Sequence, residues 1–132
     1  MTNTFREFSR INLSRAQRGH LGGLDKWSVT DWVTALAGEI GELCNAVKNL
    51  RRVEDSWQEH DGDTPQPQSI EPAVTAIAKE IGDVYAYLDL IAQRLGLDTF
   101  DCIRETFNRI SEREGVPERM HDFELGGEEE QQ

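Results

Sequence analysis

Long apolar runs are missing from this chain. No stretch reaches the about 18 residues a membrane span requires, and no charged-then-apolar leader opens the sequence. Nothing therefore argues for a membrane or for export, and a cytoplasmic location is expected. Alternating strand patterns are nearly absent as well. Cysteine is scarce: Cys44 and Cys102 stand alone without metal-like spacing, which reads as two buried, reduced thiols. A surplus of positive charge is also lacking, since the net charge is −11. The acids are unevenly spread, with five in Glu54–Asp63 and five in His121–Gln132, and neither stretch holds a Lys or Arg. Setting those aside leaves 15 acids against 14 bases, a nearly neutral body without the basic patch that nucleic-acid binding needs. No nucleic-acid partner is expected. The first 26 residues are the exception, with Arg6, Arg10, Arg15, Arg18 and Lys26 against Glu7 and Asp25. That local excess suits a small anionic ligand or a solvated helix face.

What the chain does have is helical periodicity. A first helix is predicted from Thr4, with Glu7 at the capping-box position, to just before Gly19, followed by a glycine-rich connection over 19–26. Ser28 then reads as an N-cap, Asp31 as its capping-box partner, and Trp27 and Trp32 as a hydrophobic staple. Trp32, Leu36, Ile40, Leu43, Val47 and Leu50 follow at helical spacing as a core stripe. The acidic, proline-bearing segment 54–71 is predicted to be a mobile loop. A third helix is expected from near Pro72 to Leu95, with Val74, Ile77, Ile81, Val84, Leu88, Ile91 and Leu95 inward, and Gly96 stops it. Asp98 is an N-cap for a fourth, carrying Phe100, Ile103, Phe107 and Ile110 and ended by Gly115 and Pro117. Residues 121–132 read as a disordered acidic tail. The expected fold is all-α: one domain over 1–120, built as a four-helix bundle.

Two helical segments carry one unusual insertion. Gly38-Glu39-Ile40-Gly41-Glu42 interrupts the second predicted helix and Lys79-Glu80-Ile81-Gly82-Asp83 the third. Each places two carboxylates one turn apart on one face. With 25 acids in 132 residues, chance alone gives about five such pairs, so spacing by itself decides little. Position decides more. Both pairs flank core-stripe residues, where buried acids are normally paired or metal-bound, and no surplus of lysine is available to neutralise them. The glycines add a cost of about 1 kcal/mol each relative to alanine, which implies close approach by another helix or a ligand. All-oxygen donors without a histidine at helical offset favour a hard ion, Mg²⁺ or else Mn²⁺. A di-iron bundle would need Glu-x-x-His on two helices. The only such spacing is Glu118 to His121, which follows Pro117 and enters the tail. Tyr87, one turn beyond Asp83, and Trp27 offer rings for stacking on a base or for packing. His20, within a glycine-rich run, reads as exposed.

These residues carry a resemblance. Trp27-Ser28, Trp32, Ala35 to Glu42 and Asn45-Ala46-Val47-Lys48 resemble the first half of a MazG-like nucleotide pyrophosphohydrolase. Glu80 to Asp83 followed by Tyr87-Leu88-Asp89-Leu90 resembles the second half. Phe107-Asn108 and Ser111 to Gly115 resemble that family's last helix. The similarity spans about residues 10 to 118. It implies a Mg²⁺-dependent, nucleotide-pool house-cleaning hydrolase of the all-α superfamily. Such an enzyme cleaves a (deoxy)nucleoside triphosphate between the α and β phosphates, and works as a homodimer or homotetramer. Carried over, Glu39, Glu42, Glu80 and Asp83 become the metal ligands, with Glu39 as catalytic base. Trp27, Tyr87, Lys48, Asn108, Arg109, Arg15 and His20 become substrate contacts. One departure stands out: the family's lysine before the Phe-Asn pair is Thr106 here. Phosphate neutralisation would then fall to Lys79, Arg104 or Arg109. The rival expectations are a non-catalytic helical interaction protein, with structural acids, and a degenerate nucleotide-binding member of the same family.

Overall fold

Four α-helices and one 3-10 turn make up the secondary structure of the computed structural model, which describes residues 4–19, 21–58 and 67–121. The helices are α1 (Thr4–Arg18), α2 (Val29–Gln58), α3 (Pro67–Arg94) and α4 (Thr99–Glu114), and the 3-10 turn spans Leu24–Lys26. Among the described residues there is no strand, so the chain is all-α. None of these helices is long and apolar enough to cross a membrane. The chain divides into two compact units, Trp27–Ile91 on its own and Met1–Lys26 together with Ala92–Gln132.

The unit formed by the two chain ends is organised around the pairing of α1 with α4. Phe5 meets Phe100 at 5.8 Å between ring centroids, and Phe100 is buried. Arg6 lies 5.4 Å over the same ring and donates to Asp98 at 2.9 Å and to Asp101 at 3.1 Å. Arg104 completes the cluster, 3.0 Å from Asp101. Asp98 also caps α4, accepting from the Asp101 N–H at 3.0 Å. Burial would raise the Asp98 carboxyl, but the Arg6 guanidinium and the capping N–H outweigh it and hold it below the usual range. At the other end, Gly115 adopts the left-handed conformation at φ 69°, and Val116 donates to the Ser111 carbonyl at 3.0 Å. Gly96 ends α3 the same way, with φ 71° and a 2.9 Å bond from Leu97 to Ala92. These caps stand where the sequence places them.

The other unit starts with a complete capping box. The Ser28 N–H donates to the Asp31 carboxylate at 2.9 Å, and the Asp31 N–H donates to the Ser28 hydroxyl at 3.1 Å. Trp27 and Trp32 meet at 4.7 Å, the predicted staple. Trp32, fully buried, then meets Tyr87 of α3 at 6.1 Å. Residue 32 therefore faces residue 87, and Glu39 faces Glu80 and Asp83, so the two helices run antiparallel within this unit.

Three expectations need correction. The predicted loop over 54–71 is shorter, because α2 continues to Gln58 and α3 begins at Pro67. Arg51 pairs with Asp55 at 2.9 Å and with Glu54 at 3.9 Å, which offsets the acidic charge and carries the helix onward. Pro67 occupies the first helical position, where no N–H is needed, although Pro72 inside α3 withholds one helix bond. Residues 59–66 of that loop and the tail beyond 121 lie outside the described residues. Secondly, Cys44 and Cys102 are exposed, not buried. Thirdly, the core stripes are only half covered. Ile40 and Val47 of the α2 stripe, and Val74, Ile81 and Leu88 of the α3 stripe, are each between 45% and 48% exposed, as is Val33, which the α2 stripe did not include. Leu95, Phe107 and Ile110 are exposed as well. Periodicity identifies the apolar face of a helix; how much of that face a single chain covers depends on its neighbours.

Candidate metal centre

The antiparallel register sets the two acidic motifs side by side. Glu39 from α2 and Glu80 and Asp83 from α3 each offer a carboxylate oxygen, and these oxygens lie within 4.8 Å of one another. Helical geometry explains part of the arrangement: Glu80 and Asp83 are one turn apart on one face of α3. Glu80 is the most enclosed, with its side chain 13% exposed. Its Oε2 is buried without a hydrogen-bond partner among the described residues. A buried carboxylate oxygen lacking any donor is costly, and among three converging carboxylates it fits a hard divalent cation.

Lys79 changes the charge balance foreseen from the sequence. Its ammonium reaches Glu80 Oε1 at 3.0 Å and Asp83 Oδ2 at 2.9 Å. These bonds, first to Asp83 and then to Glu80, push the Lys79 ammonium above its ordinary pKa. The sequence expects no surplus of lysine at the acids; one lysine does pair with two of them. The i, i+4 spacing to Asp83 was readable in the sequence; the contact with Glu80, its immediate neighbour, was not. Three carboxylates against one ammonium still leave two negative charges uncompensated. The Glu39 carboxyl registers the imbalance. Its pKa is raised by burial first, then by Asp83 and Glu80, with Lys79 pulling the other way.

Glu42, the fourth predicted ligand, is exposed, and its carboxylate does not join the three-acid group. The glycines also differ from expectation. A Cβ built at Gly38, Gly41 or Gly82 would meet nothing within 4 Å among the described residues. No close neighbour among the described residues explains them.

Of the predicted substrate contacts, Trp27, Tyr87 and Lys48 belong to the same unit as the acids. Trp27 lines a groove of about 470 Å³ together with Asp31, Thr34 and Ala35, and Ala35 lies one turn before Glu39 on α2. Sequence reading singled out Trp27 but not the groove, although 31, 34 and 35 share a helical face. Tyr87 packs its ring on Trp32. Lys48 is exposed and bonds to Asn45 at 3.1 Å. Arg15, Arg109 and Asn108 belong to the other unit. Arg15 donates to Asn12 at 2.9 Å, and Arg109 is exposed. Asn108 is engaged structurally, its amide donating to the Met120 carbonyl at 2.8 Å and accepting from the Met120 N–H at 2.7 Å. His20 lies outside the described residues. Compared with known proteins, the chain matches no family model, no curated protein and no solved structure.

Proposed function

We propose that this chain is a MazG-like, Mg²⁺-dependent nucleoside triphosphate pyrophosphohydrolase. The observation that carries the reading is the convergence of Glu39, Glu80 and Asp83, with the buried Glu80 Oε2 lacking any donor. Glu39, Glu80 and Asp83 hold the cation, and Glu42, one turn along α2, is available from the rim. Mg²⁺ (or Mn²⁺) held there would supply neutralisation of triphosphate charge and activation of water. Glu39, one of the three converging carboxylates, would accept the proton of the attacking water. The water oxygen bonds to the α-phosphorus, the bond to the α,β-bridging oxygen breaks, and pyrophosphate leaves. The groove beside Trp27 accommodates the base, with the ring available for stacking.

The active form in this reading is a homodimer or homotetramer. Val33, Ile40 and Val47 recur every seven residues on α2, and Val74, Ile81 and Leu88 do so on α3. In the antiparallel register these form three half-exposed apolar layers of the kind helical hairpins bury against each other. The open space at Gly38, Gly41 and Gly82 also leaves room for a second chain or a ligand to approach.

One observation favours a second reading. Lys79 already bridges two of the acids, as a structural charge network in a non-catalytic helical protein would. The test is pyrophosphate release from a panel of canonical and damaged deoxynucleoside triphosphates, with and without Mg²⁺. Metal-dependent release from any of them supports the enzyme. No release from the whole panel at millimolar Mg²⁺, from a folded protein, supports the structural reading.

A further inference from the structure

The geometry points to Lys79 as an internal counter-ion that competes with the divalent cation for Glu80 and Asp83, and that then turns to the phosphates of the substrate. The inference rests on the proposed function and adds a residue and an order of events to it. Lys79 Nζ is within 3.0 Å of Glu80 Oε1 and 2.9 Å of Asp83 Oδ2, so it draws on two of the three carboxylates that would hold the cation. A cation entering the site must either displace this ammonium, losing its two ion pairs, or bind next to it against like charge, and both outcomes weaken binding. Lys79 does not need to stay. Its side chain is 69% exposed and flexible, and its bonds are exposed ion pairs of modest worth. Once released, the ammonium stays tethered beside the metal site by its own backbone, between Ala78 and Glu80 on α3. The phosphates of a triphosphate held by a cation at these carboxylates would come within its reach. Of the two other cations considered for phosphate, Arg104 pairs with Asp101 and Arg109 is exposed on α4.

A lysine acting this way leaves a signature of opposite signs. Lys79→Gln should bind Mn²⁺ about threefold to tenfold more tightly than the natural protein by calorimetry without nucleotide, a range set by exposed ion-pair strengths. At saturating Mg²⁺ the same variant should bind an α,β-methylene deoxynucleoside triphosphate, which cannot be cleaved, about threefold to tenfold more weakly. Lys79→Arg, which keeps the charge, should stay within about twofold of the natural protein in the metal titration. A purely structural lysine would not move the two affinities in opposite directions. Equal or weaker Mn²⁺ binding by Lys79→Gln overturns the inference, as does unchanged triphosphate binding. If the natural protein binds both ligands and Lys79→Gln matches it, the inference alone fails. If the natural protein binds neither Mn²⁺ nor the triphosphate, the proposed function fails and takes the inference with it.

Discussion

Glu39 and Asp98 show how one kind of side chain serves opposite ends. Asp98 is held below its ordinary pKa despite partial burial, chiefly by Arg6, so it contributes stability above pH 3.8 that is lost as pH falls through its folded value. Arg6→Met should therefore cost about 1 kcal/mol at neutral pH and flatten the acid limb of the stability curve, which urea unfolding at several pH values would measure. Glu39 has the reverse sign. Its pKa is raised, so the folded state binds more protons than the unfolded state and stability falls as pH rises above 4.5. Glu39→Gln should raise the melting temperature of the metal-free protein at pH 7 and lose the advantage near pH 4. In the proposed mechanism it should also abolish both the stabilisation by millimolar Mg²⁺ and pyrophosphate release. A variant that melts below the natural protein at neutral pH would show that Glu39 is not under electrostatic stress.

At the scale of elements, the helices are set by their ends. The reciprocal Ser28–Asp31 bonds satisfy N–H groups that the first turn of α2 would otherwise leave open. Ser28→Ala should cost about 1 kcal/mol in denaturant unfolding. The helix interiors make a different kind of test. Gly41 and Gly82 face open space among the described residues, so alanine meets no obstacle there. In an isolated chain Gly41→Ala and Gly82→Ala should each stabilise by up to about 1 kcal/mol, the ordinary helix-propensity gain. If these glycines instead accommodate a second chain or a nucleotide, the substitutions should stabilise the unfolding transition at low concentration while weakening assembly or nucleotide binding. Measuring both on the same variants separates a tolerated glycine from a required one.

For the molecule as a whole, the proposed assembly depends on the half-exposed layers on α2 and α3. Single large apolar residues on a surface are ordinary, but six recur here at heptad spacing on two antiparallel helices. Light scattering at micromolar concentration should give a multiple of the 15.0 kDa chain mass. Ile40→Glu combined with Ile81→Glu should return the mass to that of one chain, because like charges buried in the middle layer are strongly disfavoured. A natural protein that scatters as a single chain would remove the oligomeric part of the proposal.

The sequence by itself determined what depends on near neighbours. The capping box at Ser28, the Trp27–Trp32 staple, the Asp98 cap and the glycine stops at Gly96 and Gly115 rest on residues at most a few positions apart, and local geometry decides them. The pairing of acids along each helix was legible for the same reason. Tertiary structure decided the rest. Which acids converge depends on the register between α2 and α3, and this brought Glu39 to Glu80 and Asp83 while leaving Glu42 at the surface. The persistence of α2 through an acidic stretch turned on its balance of charge and helix propensity, which composition alone read as loop. Burial eluded the periodicity most of all. An apolar stripe shows which side of a helix avoids water, but only the surrounding helices decide whether Ile40, Ile81 and their partners are covered.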